Sequence, residues 1–169
     1  GTSGALVFAL DRETARSLAA AFASHEVVKT YLAIVRGWPA ETGEIDYPLA
    51  AVHDEYAPSA DTGPKASRTR FRRLETVELP HRVDRYPTAR YSLLELRPDT
   101  GRRHQLRRHL HHVSHHLVGD TTHGRGDHNR LYRMHFAIHR RMLHAWRIEL
   151  AHPATGAPLR CRRWRHSAG

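Results

Sequence analysis

A run of cationic and hydrogen-bonding side chains at residues 98–110, PDTGRRHQLRRHL, is the part of the sequence best suited to chemistry. We predict a helix over residues 102–113. On such a helix Arg103 and Arg107 are four residues apart and share a face, and Arg102 lies near the start, where free backbone N–H groups also attract anions. The pattern therefore predicts a site for a phosphate or a buried carboxylate, although a solvated basic helix would have the same composition.

The overall charge indicates an anionic partner. The chain has 27 Lys and Arg against 17 Asp and Glu, a formal net charge of +10, and only Lys29 and Lys65 are lysines. Arginine binds phosphates in a bidentate manner and stacks on bases, so nucleic acid is the expected partner. A GC-rich genome would give the same excess of arginine, and a basic domain could also bind an anionic protein or a membrane surface.

The 16 histidines form a second group. Three pairs have the i, i+4 spacing that can chelate a metal on a helix: His111/His115, His112/His116 and His135/His139. No HExxH and no second Cys accompany them. We therefore expect histidines that face RNA or cap helices, with no cofactor and no metal. A metal-dependent nuclease built on these histidines is the weaker alternative.

Composition limits the class of protein. The 169 residues fit one domain, and 40% of them are hydrophobic, enough for a packed core. No stretch approaches the roughly 18 apolar residues of a membrane helix, and residues 1–10 lack the basic start of a secretory signal. The lone Cys161 excludes a disulfide framework and fits a reducing cytoplasm. We expect a cytoplasmic monomer with no membrane partner and, because the chain begins with Gly, a fragment or a processed product.

The elements that must position these side chains follow from the hydrophobic pattern. We predict strands at residues 5–10, 27–35, 44–49, 67–79, 90–97, 142–150 and 159–164. Besides the helix over 102–113, a helix capped by Asp11 should run to about residue 24, whereas residues 50–66, 80–88 and 120–129 should be loops. Strands outnumber helices, so we predict an α+β fold with a mixed, mostly antiparallel sheet flanked by helices and loops.

Residues 100–110, TGRRHQLRRHL, resemble the TGR-x-HQ-[IL]-R-x-HL motif of the RluA-type RNA pseudouridine synthases. Four shorter matches surround it in the order found in that family. They are Gly1-Thr2-Ser3-Gly4 with ALVFAL, Lys29-Thr30-Tyr31-Leu32-Ala33 through Gly37, Gly119-Asp120, and Leu143-His144-Ala145. The stretches 86–91, 107–110 and 119–130 are further similar to the C-type enzymes of the family, which act on tRNA.

The resemblance implies isomerisation of a specific uridine to pseudouridine in RNA, most closely the uridine at position 65 in the acceptor stem of a tRNA. The reaction moves the attachment of the base to the sugar from N1 to C5 without oxidation, so the resemblance implies neither cofactor nor metal. It also implies a flipped-out base and a carboxylate beside the sugar.

By resemblance, Tyr31 stacks on that base, Arg107 pairs with the carboxylate, and Leu143 forms an apolar wall. Each has an ordinary alternative, namely a core aromatic, a surface phosphate contact and a core leucine. The RNA-contact candidates are Arg102, Arg103, His104 and Arg108.

The family's catalytic aspartate is expected two residues before Gly1, because only the second half of the motif H-R-[LV]-D-R-x-T-S-G is present. We therefore expect no catalytic residue within residues 1–169 and no activity from this chain alone. The stretch 81–85 also reads HRVDR, but no Thr-Ser-Gly follows it, and it falls in a predicted linker. We interpret Asp84 as a loop acid among arginines rather than as a nucleophile.

Some alternatives stay open at this point. The chain could be a non-catalytic RNA-binding protein of the same fold, or an enzyme that acts on rRNA rather than tRNA. The arginines of the last predicted strand, which surround Cys161 and Trp164, could be an RNA-contact edge or a solvated edge that discourages sheet pairing. These arginines are Arg160, Arg162, Arg163 and Arg165.

Overall fold

The strands of the computed structural model, which describes residues 2–51 and 63–162, form one mixed sheet. Seven strands lie in those residues: β1 Ser3–Gly4, β2 Val28–Arg36, β3 Thr42–Asp46, β4 Arg68–Leu79, β5 Ala89–Pro98, β6 Leu143–Ala151 and β7 Pro158–Arg162. Their order is β6, β2, β5, β4, β3, and β1 and β7 share the other edge of β6. β1 pairs with β6 in parallel, and the other pairs are antiparallel. The predicted α+β fold is confirmed.

Three helices lie in the described residues: α1 Arg12–Ala23, α2 Gln105–His112 and α3 Gly126–Phe136. α1 begins as predicted, because the Asp11 carboxylate accepts a 2.8 Å hydrogen bond from the backbone N–H of Thr14. The prediction of a loop over 120–129 is wrong in its last part, where α3 begins. No side chain caps α3. It is held instead by Leu131 and Tyr132, which pack in one cluster with Tyr91, a tertiary contact that local sequence does not display.

The prediction of a buried strand over residues 5–10 is wrong. Pairing stops after Gly4, because the edge of β6 beyond this point is occupied by β7, which pairs with it from Arg147 onward. The chain alternates in burial here without pairing, and Leu6, Phe8 and Leu10 are 70%, 77% and 98% exposed. Their neighbours on the other side pack against the core beside α1.

Two hydrophobic clusters cover opposite faces of the central strands. Since successive residues of a strand point to opposite sides, Leu94 and Leu96 of β5 face one way and Tyr91 faces the other. The first cluster, packed under α2, contains Ala33, Val35, Leu94, Leu96, Leu106, Leu110, Leu117 and Leu143. The second contains Tyr91 and the packed side chains of α3. The sheet thus separates α2 from α3, and the candidate site residues Tyr31 and Leu143 belong to the α2 side.

Several predictions fall partly outside the described residues. These are the loop over 50–66 and the end of the strand over 159–164, with Arg163, Trp164 and Arg165. The strand predicted at 44–49 is found at Thr42–Asp46. Across residues 2–51 and 63–162, no helix is long and apolar enough to span a membrane.

Candidate active site

A cavity of about 340 Å³ opens where β2, β5 and β6 meet the start of α2. The structure brings Tyr31, Arg107 and Leu143 together in its wall. The residues that line it are Thr2, Lys29, Tyr31, Pro98, Thr100, Gly101, Arg102, His104, Gln105, Leu106, Arg107, Arg141 and Leu143. Four of them carry lysine or arginine side chains, namely Lys29, Arg102, Arg107 and Arg141. Within the described residues, no Asp or Glu lines the cavity. The cavity is therefore suited to an anion beside an apolar or planar group.

Tyr31 and Leu143 form the planar and apolar parts of the wall. Tyr31 lies at an irregularity of β2, where the register with β6 shifts between Thr30 and Tyr31, and its ring packs against the first cluster. Burial raises the pKa of Tyr31 above its ordinary value, so the phenol stays neutral at physiological pH. Leu143 is buried at the start of β6. A half-buried phenol ring next to a leucine can hold a nucleobase by stacking and by apolar contact.

Arg107 is held in the wall by a buried ion pair with Asp120. Its Nε lies 2.6 Å from Oδ2 of Asp120 and its Nη2 lies 2.8 Å from Oδ1. The side chains of Arg107 and Asp120 are 6% and 0% exposed. A guanidinium has five N–H donors, and this bidentate contact uses two of them. Nη1 and the second N–H of Nη2 are thus left for another anion, and Arg107 also lines the cavity.

Asp120 has a role that sequence reasoning missed. Burial alone would raise the pKa of Asp120, but hydrogen bonds from Arg107 and from the backbone N–H groups of His123 and Thr122 outweigh it and hold the pKa at about 2. The two backbone hydrogen bonds are each 3.0 Å long. Asn129 further fixes the turn by donating to the carbonyl oxygen of Asp120. The sequence signal was the pair Gly119-Asp120, to which no function had been assigned.

The turn at Gly119 also positions Arg141. Gly119 has φ +78°, and a Cβ there would collide with the carbonyl oxygen of Arg140 and lie 3.0 Å from the Cα of Arg141. Only glycine allows this approach at such a φ. Residues 119 and 120 therefore fix one cavity arginine by an ion pair and hold the backbone of another by close packing.

Lys29 is the most buried amine of the site, with 9% of its surface exposed. Burial lowers the pKa of Lys29 below its ordinary value, and the charge of Asp99 partly opposes this. Asp99 is itself paired with Arg70 at 2.6 Å. The Lys29 ammonium is thus partly desolvated, and it shares the charge of Asp99 with Arg70. An anion that enters the cavity would therefore stabilise its charged form. Lys29 belongs to the stretch Lys29–Ala33 that resembles the family, but the sequence did not predict it as a site residue.

The chain enters α2 through a network centred on Gln105. Its amide oxygen accepts from the Thr100 hydroxyl at 2.7 Å and from the Arg102 backbone N–H at 3.0 Å, while its amide nitrogen donates to the Arg68 carbonyl oxygen at 2.9 Å. The network ties the TGR turn to β4. Consequently α2 begins at Gln105 rather than at residue 102, and His104 adopts the left-handed conformation with φ +56°.

This start of α2 corrects one prediction. Arg103 and Arg107 do not share a helix face, because Arg103 precedes the helix and is exposed whereas Arg107 is buried inside it. Of the four RNA-contact candidates, Arg102 and His104 line the cavity. Arg108 lies outside it and donates to the Ala50 carbonyl oxygen at 2.9 Å. The four therefore form a cavity pair and an outer pair.

Asp84 lies apart from this cavity. It is exposed, with φ +55°, in the connection between β4 and β5. It lines a different cavity together with residues of α3, including Arg130 and His135. This position is that of a loop acid beside the second cluster, which also contains Val83.

The histidine pairs are not arranged as chelating pairs on a helix. α2 ends at His112, so His115 and His116 lie beyond it, and His139 lies beyond the end of α3. The structure describes no group of three or more His, Cys, Asp or Glu close enough to hold a metal within residues 2–51 and 63–162. Of the terminal arginines, Arg160 pairs with Glu149 at 2.6 Å, and residues 163–165 lie outside the described part.

Known proteins resemble the chain over most of its length. A family profile described as RNA pseudouridylate synthase matches residues 1–112. The tRNA pseudouridine synthase C of Pectobacterium carotovorum subsp. carotovorum is 48% identical over 161 residues, which are 94% of this chain and 43% of that protein. The tRNA pseudouridine synthase C of Vibrio cholerae is 49% identical over 161 residues, 94% of this chain and 66% of that protein. The chain thus spans less than two thirds of the length of these relatives.

A solved structure supports the fold. Human RNA Pseudouridylate Synthase Domain Containing 1 superposes with a TM-score of 0.69 at 24% identity, covering 98% of this chain and 69% of that one. At this identity the likeness concerns the fold alone. The family match includes Tyr31, Arg107 and the TGR turn of the cavity, whereas Asp120 and Leu143 lie beyond residue 112.

Proposed function

The chain belongs to the RNA pseudouridylate synthase family, and from this premise we propose that the protein containing it isomerises a uridine of tRNA to pseudouridine. The observation that carries the proposal is the single cavity in which Tyr31, Leu143 and Arg107 meet. It offers a stacking surface, an apolar wall and a fixed cation, which are what a flipped-out nucleotide and an adjacent carboxylate require.

During the reaction the site must hold the uracil base while the base rotates from its N1 attachment to its C5 attachment. The bond from N1 to C1′ breaks, a bond from C5 to C1′ forms, and the proton of C5 is lost while N1 gains one, so no electrons are exchanged with a cofactor. In this proposal Tyr31 stacks on the uracil and Leu143 keeps water from its edge. The free N–H groups of Arg107 bind the carboxylate that attacks or deprotonates beside the sugar. We place that carboxylate two residues before Gly1 in the full-length protein.

The proposed substrate is the uridine at position 65 of the tRNA acceptor stem. The support is the C-type motif pattern and the names of the relatives that cover the chain at 48% and 49% identity. The excess of cations in the cavity suits the phosphates on either side of a flipped nucleotide. A cytoplasmic location and a monomeric state are part of the same proposal.

The test uses the full-length protein and a tRNA transcript, with carbodiimide labelling to locate pseudouridine. We expect product at one position and loss of product in Arg107→Ala and in Arg107→Lys. Because Arg107→Ala also leaves the buried Asp120 carboxylate unpaired, circular dichroism checks the fold of each variant. Folded variants should lose only modest tRNA binding, because one contact among many is small. Arg16→Ala, an exposed arginine of α1, is the control and should behave like the unaltered protein. Product from Arg107→Ala, or from residues 1–169 alone, would contradict the assigned roles.

A further inference from the structure

Four histidine rings follow one another on the surface beside the cavity, and we refer to His104, His123, His111 and His116 as the histidine row. The ring centroids of His104 and His123 are 5.8 Å apart, those of His123 and His111 6.3 Å, and those of His111 and His116 4.9 Å. His104 lines the cavity, and the backbone of His116 accepts from the N–H of Arg36 at the end of β2. The row therefore leads away from the nucleotide site along the outside of α2.

The two rings farthest from the cavity have fixed tautomers. Nδ1 of His111 lies 3.0 Å from the carbonyl oxygen of His123, and Nδ1 of His116 lies 3.2 Å from the carbonyl oxygen of Ser114. A carbonyl oxygen can only accept, so in both rings Nδ1 carries the proton. A neutral imidazole has one N–H, and each Nε2 is therefore a lone-pair acceptor. Within residues 2–51 and 63–162, neither Nε2 is hydrogen-bonded to another residue.

His109 shows how a structural histidine of the same helix differs. It is fully buried, its Nδ1 lies 2.9 Å from the Thr69 hydroxyl, and its Nε2 lies 3.0 Å from the Tyr47 carbonyl oxygen. Both of its ring nitrogens are thus satisfied inside the fold. His111 is exposed and His116 is half-buried, so each offers an acceptor to a molecule outside the fold.

Arginines interact electrostatically with three rings of the row. They are Arg103, Arg107 and Arg141 at His104, Arg107 and Arg108 at His123, and Arg36 and Arg125 at His116. Asp120 is the one carboxylate among the charged groups that act on these three rings within the described residues. The carboxylate of Asp120 is fully buried and taken by Arg107. Burial is the largest cause that lowers the pKa of His104, His116 and His123, and the arginines add to it. The hydrogen bond to the Ser114 carbonyl oxygen opposes the shift at His116, and the Asp120 charge opposes it at His123, but in all three the pKa stays below its ordinary value and the ring is mainly neutral above pH 7.

We infer that the histidine row accepts hydrogen bonds from ribose 2′-hydroxyl groups of the RNA strand beside the target nucleotide, while the flanking arginines bind its phosphates. A phosphate only accepts, so it cannot pair with the lone pair on Nε2 of His111 or His116, whereas a 2′-hydroxyl can donate to it. The 2′-hydroxyl also separates RNA from DNA. The inference rests on the proposed function, because it places RNA in the adjacent cavity.

The experiment compares two strands of the same sequence. One is an acceptor-stem RNA hairpin, and the other carries 2′-deoxyribose everywhere except at the target uridine. Affinities for the full-length protein are measured by fluorescence anisotropy at pH 8. Two lost hydrogen bonds predict a preference of about tenfold for the ribose strand. In the double variant His111→Phe/His116→Phe, which keeps the rings and removes the acceptors, the preference should fall to about twofold or less.

His135→Phe is the matched control. His135 is an exposed histidine of α3 whose ring stacks on His81, 3.9 Å between centroids, on the far side of the sheet from α2. This variant should keep the full preference of the unaltered protein. A protein that shows no preference, or a folded double variant that keeps it, overturns the inference.

A second measurement needs no variant and covers the case in which the double variant does not fold. In a third strand, 2′-fluoro groups replace the 2′-hydroxyls; fluorine cannot donate a hydrogen bond, so this strand should bind at pH 8 like the deoxyribose strand and not like the ribose strand. A 2′-fluoro strand that binds as tightly as the ribose strand also overturns the inference. If product still forms in these cases, the proposed function stands; if the unaltered protein neither binds RNA nor forms product, the proposed function itself fails.

Discussion

Arg107 and Asp120 form a buried, bidentate ion pair in which one edge of the guanidinium is permanently occupied. The two contacts are 2.6 and 2.8 Å long. The pair holds Arg107 in one orientation in the wall of the cavity, so any carboxylate or phosphate must approach its other edge. The resemblance paired Arg107 with the catalytic carboxylate, and a surface phosphate contact was the alternative. The structure adds a second carboxylate, which holds the arginine in place whether or not the site is filled.

Removal of the Asp120 charge should destabilise the fold strongly. In Asp120→Ala the buried guanidinium of Arg107 and two backbone N–H groups lose their acceptor, and breaking a buried pair in this way lowers the free energy of unfolding by about 3–5 kcal/mol. Asp120→Asn keeps an acceptor oxygen, so its loss of stability should be about 3 kcal/mol or less. Urea denaturation of the purified chain measures this free energy of unfolding. Asp127→Asn, an exposed carboxylate in the first turn of α3, is the control and should change it by less than about 0.5 kcal/mol. A similar small change for Asp120→Ala would contradict the role given to the pair.

The pairing could not be read from the sequence, although parts of the site could. Recognisable motifs contain Tyr31, Leu143 and the TGR turn. Alternation along the strands places Tyr31 and Leu143 on one face of the sheet. The partner of Arg107 depends instead on how the turn at Gly119 returns to α2, which is a tertiary relationship between residues 13 positions apart. Helix periodicity also misplaced Arg103, since the hydrogen bonds of Gln105, not the charge pattern, decide where α2 begins.

The edge of the sheet illustrates the same limit. ALVFAL has the composition of a buried strand, and its first residues do follow a paired segment. Whether pairing continues depends on which strand occupies the edge of β6, and β7 comes from the other end of the chain. Local propensity cannot report competition for an edge. α3 was missed for a related reason, because its stability comes from the packing of Leu131 and Tyr132 rather than from caps.

Tyr31 should contribute mainly through its ring. Tyr31→Phe keeps the stacking surface, so in the full-length protein we expect tRNA affinity within about twofold of the unaltered value. Tyr31→Ala should weaken productive binding by about 5- to 150-fold, since base stacking on an aromatic side chain contributes about 1–3 kcal/mol. Single-turnover assays over a range of enzyme concentrations separate binding from the chemical step. Tyr86→Ala, an exposed tyrosine outside the cavity, is the control. Equal losses in Tyr31→Phe and Tyr31→Ala would argue for the hydroxyl instead.

The buried His128 should make the fold sensitive to mild acid. Its Nδ1 is hydrogen-bonded to the Tyr91 hydroxyl at 2.8 Å, and burial first, then the charges of Arg36 and Arg125, lower the pKa of His128 to about 4. The folded pKa lies below the ordinary value of 6.5, so the unfolded chain binds the proton first. Its stabilising contribution is therefore complete above pH 6.5 and is lost as the pH falls from 6.5 to about 4.

A lowered pKa of this size corresponds to about 3 kcal/mol over that interval. Urea denaturation at a series of pH values from 8 to 4 measures the change. In His128→Gln, which cannot titrate, the slope between pH 6.5 and 4 should flatten, whereas His152→Gln, an exposed histidine of the turn between β6 and β7, should retain it. Asp120, with its pKa of about 2, titrates below this interval, so the two residues are distinguishable by pH. An equally steep slope in His128→Gln would assign the effect to other groups.

Asp84 should be dispensable for the reaction despite its HRVDR surroundings. It is exposed, and it lines a cavity beside α3 rather than the one that contains Tyr31 and Arg107. In the full-length protein Asp84→Ala should therefore keep the rate of pseudouridine formation within about threefold of the unaltered protein, as expected of an exposed substitution remote from the site. Because Asp84 has φ +55°, Asp84→Asn, which tolerates that conformation, serves as the conservative control for folding. Complete loss of product in both variants, with the fold intact by circular dichroism, would make Asp84 the nucleophile and move the active site to the other face of the sheet.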